Sequence, residues 1–220
     1  MKLILKIVGG LLGLLVLGLV ALGGWYLYQK QPVRSGTLEI SKLSAPVRVQ
    51  FDERGVPHIS AENQLDMYRA LGYVHAQHRL FQMEMVRRLA KGELAEILGP
   101  KLVEVDTLFR TLGIRAQAKA TVAKMDMSTP ANQALLAYLD GINQYQDHNR
   151  SPIEFDILGI PHQPFTPEDT IAVSGYLAYS FAAAFRTEPV MTFIRDKLGP
   201  DYLRTFDIEW HPEGVVTPLA

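Results

Sequence analysis

The chain has no cysteine among its 220 residues. That excludes disulfides, zinc–thiolate sites and a cysteine nucleophile. It leaves the compartment open, because a disulfide-free protein can work on either side of a membrane. An excess of one charge is lacking too: 22 Lys and Arg stand against 23 Asp and Glu. Nucleic acid calls for a clustered basic face, so it is not an expected partner. Catalytic signatures are equally scarce. No serine stands in G-x-S-x-G or heads an S-x-x-K, and there is no phosphate loop or G-x-G-x-x-G after a strand. Read alone, the chain carries no complete catalytic set.

What the chain does have begins with residues 7–28, IVGGLLGLLVLGLVALGGWYLY, which hold no charge over 22 positions. At ~1.5 Å per residue this run spans roughly 33 Å, enough for a hydrocarbon core of about 30 Å. Lys2 and Lys6 precede it, and Trp25, Tyr26 and Tyr28 cluster at its far end, where amphipathic rings favour the headgroup zone. The expected organisation is a cytoplasmic N-terminus at 1–6, a transmembrane or signal anchor at 7–28, a linker at 29–36 and an exported region at 37–220. A cleaved signal peptide is the competing reading. Its apolar part is usually shorter and followed by a small-x-small site, whereas bulky and polar residues follow here.

The exported part reads as α+β, mostly α. Val47, Val49 and Phe51 alternate with period two, Arg54-Gly55 marks a turn, and Val56 to Ile59 read as a returning strand. Asn63 caps the next helix, with Asp66 in its first turn. The stripe Met67, Leu71, Val74, His78, Phe81, Met85, Leu89 predicts one helix face of about 25 residues ending near Gly92. A short helical piece is expected at 92–99, helical spacing over 101–125, and a further helix at 132–146 opened by Ser128-Thr129-Pro130. Residues 151–170 hold four prolines and read as an ordered loop. Thr166-Pro167-Glu168-Asp169 is a helix-start signature. The helix it opens, Ile171 to about Ala184, reads as deeply packed. Another helix runs from Glu188 to Leu198, and the tail EWHPEGVVTPLA reads as extended.

His75 and His78 stand three apart on the long helix. A helical zinc protease motif needs histidines four apart with a glutamate after the first, and here Ala76 follows His75. His78 falls on the apolar stripe and reads as a core-facing histidine. Ser174 and Ser180 lie in an apolar helix, where a hydroxyl more often bonds back to its own backbone.

The order of segments nevertheless resembles a known family. APVRVQFDERGVPHISAENQLDMYRALGYVHAQHRLFQMEMVRRLAKGELAEILG, then VDTLFRTLGIRAQA, YLDGINQY, PIEFDILGIPHQPFTPEDTIA and FRTEPVMTFIRDKLG, resemble the α-chain of penicillin acylases and acyl-homoserine lactone acylases. The resemblance covers roughly 38–205. One departure is visible: the family usually reads H-A-Q-D-R where this chain has His75-Ala76-Gln77-His78-Arg79.

The resemblance implies the α-chain part of a four-layer αββα N-terminal-nucleophile hydrolase. It implies an amide hydrolase (acylase) cut from one precursor, with catalysis by an N-terminal serine on a β-chain partner and no catalytic residue in this chain. The substrate would be a small-molecule acyl amide, penicillin-like or an acyl-homoserine lactone. Two contributions from this chain are implied. Glu188 would be one ligand of a structural Ca²⁺, the other reading being a carboxylate near a helix N-terminus. Leu177 and Phe181 would line the acyl pocket, with Tyr176 and Phe185 as neighbours; the other reading is ordinary core. A membrane-tethered, non-catalytic scaffold of the same fold is the alternative for the whole chain.

Overall fold

The first helix, α1, runs Lys2–Tyr28, in a structure (a computed structural model) that describes residues 2–182 and 184–206. Its stretch Gly9–Tyr28 has a mean hydropathy of 2.0 and none of it is buried. The chain forms two compact units, residues 1–174 and 175–220.

In the first unit, β1 (Arg48–Phe51) and β2 (Pro57–Ser60) form an antiparallel hairpin, pairing Val49 with Ile59 and Phe51 with Pro57. Asp52 shapes the turn: its Oδ1 accepts from the N–H of Arg54 at 2.9 Å and of Val56 at 2.8 Å. Helix α2, Gln64–Lys91, follows, capped by the Asn63 side chain and closed by Gly92 at φ 68°. Next come α3 (Ala95–Leu98), α4 (Val103–Thr111) and α5 (Ile114–Val122). Helix α6, Pro130–His148, starts where Thr129-Pro130 predicts, with the Thr129 hydroxyl as cap. Within the region expected to be a loop, residues Ile153–Leu158 form a short helix, α7. Helix α8 is Pro167–Phe181 and α9 is Ala184–Leu198. Among the described residues the only sheet is this hairpin; a four-layer sandwich is not formed by them.

The core lies where α2 crosses α6. Tyr73, Ala76 and Leu80 meet Leu139, Ile142 and Tyr145, with Phe155, Ile160 and Phe165 closing the end. The rings of Tyr73 and Tyr145 meet edge to face at 5.3 Å. The sequence stripe on α2 identified the helix but not its deepest face. Met67, Leu71, His78, Phe81, Met85 and Leu89 are half-buried, while Ala70, Gly72 and Ala76 go deeper. The reason is the closeness of the two helices. A Cβ on Gly72 would collide with the Tyr138 carbonyl and lie 3.2 Å from the Ile142 nitrogen. A Cβ on Gly141 would collide with the Arg69 carbonyl and lie 2.9 Å from the Tyr73 nitrogen. Small residues therefore occupy the centre, and large apolar ones flank it.

Asp66 has a larger role than a favourable charge in a first turn. It is 2% exposed, and it accepts from the Ser44 hydroxyl at 2.6 Å, the Asn63 amide at 2.6 Å and the Ala45 N–H at 3.2 Å. These bonds, the Ser44 hydroxyl first and Asn63 next, hold its pKa down to about 2. Further along α2 a charged group is buried. Glu84 lies between Arg87 and Arg88, and all three are 4% exposed or less.

The two histidines face different neighbours. His75 Nδ1 lies 3.0 Å from the Tyr138 hydroxyl. The His78 ring sits 5.4 Å from Phe51, as half-buried packing rather than a ligand. Burial pushes both histidines below their ordinary pKa, and for His78 the charges of Arg34 and Arg79 add to it. An aspartate at 78, the residue usual in the resembling family, would be attracted by those arginines, whereas their charges disfavour the protonated histidine.

Three expectations follow. Gly141→Ala lowers stability by about 1–3 kcal/mol in urea unfolding, although Ala is favoured over Gly in a free helix by about 1 kcal/mol. Glu84→Ala leaves two buried arginines without their carboxylate and costs about 3–5 kcal/mol. A group with a lowered folded pKa refuses a proton that the unfolded chain accepts, so both histidines cost stability as pH falls below about 6.5. His78→Asp therefore reduces the loss of stability seen on acidification through that window, measured by unfolding at a series of pH values.

Candidate functional site

Candidate site residues Leu177, Phe181 and Glu188 all fall in the second unit. Leu177 and Phe181 are four apart on α8, hence one above the other on a single face. Neither is in the core of this chain: Leu177 is 46% exposed and Phe181 85%. The expected deep packing of this helix is thus not supplied by the described residues; only Asp169 and Ala172 of α8 are buried. Helix α9 continues the pattern, with Val190, Phe193 and Leu198 each more than half exposed. Tyr176 is half-buried. The Phe185 side chain and the tail from 209 lie outside the described residues.

Glu188 is exposed on α9 and stands beyond the helix's first turn, which holds no acid. A helix dipole acts mainly within that first turn. Its charge is felt by Arg195, whose pKa is raised first by the bond to Asp196 at 2.8 Å and additionally by Glu188. Among the described residues no three His, Asp or Glu side chains converge on a cation position. The donor at Glu188 is nevertheless of the right kind, since Ca²⁺ takes six to eight hard oxygens, about that number by its usual coordination.

The Ser174 hydroxyl donates to the Thr170 carbonyl at 3.0 Å and the Ser180 hydroxyl to the Leu177 carbonyl at 2.8 Å. Both are spent on their own helix, as their apolar setting predicts.

The motif residues of the first unit prove to be builders of the scaffold. In YLDGINQY, Asp140 accepts from Lys42 at 2.7 Å and Arg69 at 2.8 Å. Burial works against the Asp140 charge, but the bonds from Lys42, Arg69 and Gln144 prevail and keep its pKa low. Asn143 brackets Phe165, accepting from its N–H at 2.7 Å and donating to its carbonyl at 3.0 Å. In VDTLFRTLGIRAQA, Asp106 accepts from the N–H of Leu94 at 2.9 Å and of Ala95 at 2.8 Å, capping α3.

The first turn of α8 is held the same way. The Thr166 N–H and hydroxyl donate to Asp169 at 2.9 and 2.8 Å, Lys91 pairs with Asp169 at 3.0 Å, and the Arg87 guanidinium lies 4.0 Å over the Phe165 ring. Sequence reading named the Thr166 cap but not Arg87, Lys91 or Asn143, whose partners are distant along the chain.

Comparison with known proteins agrees with this arrangement. Residues 46–213 match the family model described as penicillin amidase. The chain is 46% identical over 143 residues to penicillin acylase 2 proenzyme of Pseudomonas sp. (strain SE83), covering 64% of this chain and 18% of that protein. It is 32% identical over 174 residues to the acyl-homoserine lactone acylase QuiP of Pseudomonas aeruginosa, covering 78% of this chain and 20% of that protein. Among solved structures, a thermostable penicillin G acylase from Alcaligenes faecalis matches with a TM-score of 0.57 at 26% identity, over 80% of this chain and 98% of that one. The chain thus spans about a fifth of the length of the curated relatives it matches. A helical scaffold built from the family's motif residues, and a family model spanning most of the sequence, lead to one conclusion: the chain belongs to the penicillin amidase family.

Proposed function

We propose that this chain is the α-chain part of an acylase that cleaves an apolar acyl group from a polar amine. The observation that carries the reading is the open apolar surface of Leu177 and Phe181 on a helix whose two serines, Ser174 and Ser180, bond to their own backbone. One further fact supports it. The solved penicillin G acylase chain is covered over 98% of its own length, whereas the proenzyme relative is covered over 18%. In that solved protein the matching region is therefore a chain by itself.

On this reading the attacking hydroxyl belongs to an N-terminal serine on a partner β-chain, within an αββα sandwich the two chains build together. A free α-amino group titrates near ~7.7–8.0, so it can accept the serine proton near neutral pH without a histidine. Leu177 and Phe181 form one wall for the acyl group. Glu188 supplies one oxygen to a structural Ca²⁺, which, when bound, cross-links the chains through carboxylates. The acyl amide is penicillin-like or an acyl-homoserine lactone, matching the names of the relatives.

The same reading keeps α1 as an uncleaved inner-membrane anchor, with the rest of the chain on the periplasmic side. Its length, its apolar composition and the absence of buried residues over Gly9–Tyr28 support this.

The chain expressed alone should hydrolyse no acyl amide, and co-expression with a companion bearing an N-terminal serine should produce turnover. Enzymatic turnover by the lone chain would overturn the proposal, and inactivity of the correctly processed pair would favour a non-catalytic scaffold. In an active pair, Leu177→Ala or Phe181→Ala should shift the kcat/KM ratio between long and short acyl chains by roughly 10-fold or more. Glu188→Gln should weaken Ca²⁺ binding at least ~10-fold in calorimetric titration; unchanged affinity removes Glu188 from the site.

A further inference from the structure

The end of α1 is bonded to the folded body. The Tyr26 hydroxyl donates to the Asp156 carboxylate. Lys30 Nζ lies 2.5 Å from the same carboxylate and donates to the Ser151 carbonyl at 2.7 Å. The Lys30 side chain is only 8% exposed, and its ammonium lies 4.9 Å over the Tyr26 ring. The last turn is closed by backbone bonds from Gln29 to Trp25 and from Lys30 to Leu27, both at 3.1 Å. Three residues on, the Val33 carbonyl accepts from Gln77 at 2.9 Å. The segment expected as a linker is therefore fastened to α2 and α7.

Two consequences follow if α1 spans a bilayer. Tyr26 lies in the aromatic turn that belongs at the headgroup level. Asp156 is one side chain away from it, so α7 lies at that depth too. Helix α7 is amphipathic: Phe155 is 4% exposed in the core, while Ile157 points out and is 72% exposed. Trp25 and Tyr28, at 59% and 77%, are exposed at the same level. Arg150 is also exposed, close enough that its charge helps Lys30 and Tyr26 keep the Asp156 pKa low. An outward isoleucine beside aromatic rings and an exposed arginine fits an interface with acyl chains below and anionic headgroups above.

We propose that α7 is a second membrane contact, with Ile157 seated in the headgroup zone, and that the Tyr26–Lys30–Asp156 clamp sets how the folded body lies on the bilayer. This rests on the reading of α1 as a retained anchor. The partner is a phospholipid surface.

The absence of native cysteine makes single-site labelling unambiguous. The full chain, reconstituted in phosphatidylethanolamine–phosphatidylglycerol nanodiscs, is labelled with an environment-sensitive fluorophore in Ile157→Cys, Leu17→Cys or Lys124→Cys. Quenching is read with spin labels carried on lipid headgroups or deep in the acyl chains. The Leu17→Cys label should be quenched by acyl-chain spin labels. The Ile157→Cys label should be quenched several-fold more by headgroup spin labels than the Lys124→Cys label, and adding Asp156→Ala should reduce that excess toward the Lys124 level. Quenching at 17 with none at 157 overturns the second contact and leaves the anchor standing. No quenching at 17 overturns both. Quenching at 157 that ignores Asp156→Ala overturns the clamp.

Discussion

Two helix backbones touch at the centre of the first unit, where Gly72 of α2 faces Tyr138 and Gly141 of α6 faces Arg69. Side chains at either glycine would force the helices apart, and the attachments around the crossing depend on that closeness. Tyr73 reaches Tyr145 only because the axes are near. Arg69 reaches Asp140 across the same gap, and Asp140 in turn holds Lys42. Asp66, one turn before the crossing, gathers the chain at Ser44 and Ala45. The hairpin and the strap before it are laid on a platform whose spacing two absent side chains decide.

Toward the other end of α2 the interior becomes ionic. Glu84, Arg87 and Arg88 are buried together, and Arg87 extends to Phe165 while Lys91 extends to Asp169. Such a group adds little net stability compared with an apolar replacement, but it is intolerant of losing one member. Its effect is geometric: it fixes the proline-bearing loop and the first turn of α8. The helix held in this way is the one that bears Leu177 and Phe181 further along. The second unit is rich in exposed apolar side chains, among them Phe181, Val190 and Phe193.

Much of the element order was legible because it is local. Alternation at Val49 and Phe51, the caps Asn63 and Thr129 and the stop at Gly92 each depend on residues within a turn or two. The helix α7 was hidden by prolines on both sides, and its core residue Phe155 is recognisable only once Ile142 and Leu80 stand beside it. The stripe on α2 misjudged depth for a related reason. Hydrophobicity marks large apolar residues, whereas the closest contact here needs the smallest ones. Of the candidate site, the spacing of Leu177 and Phe181 was readable; that their face lies open rather than in the core of this chain was not.

The sequence by itself determined the periodic and local features: an apolar run long enough for a bilayer, helix ends and the turn at Arg54-Gly55. Those properties depend on bond geometry and near neighbours, which order along the chain already contains. Tertiary structure decided which polar residues meet. Tyr26 and Asp156 are 130 positions apart, and Ser41 and Gln144 are 103 apart. No local pattern encodes such pairs, because they exist only after the helices have packed and removed the water that would otherwise satisfy each partner separately.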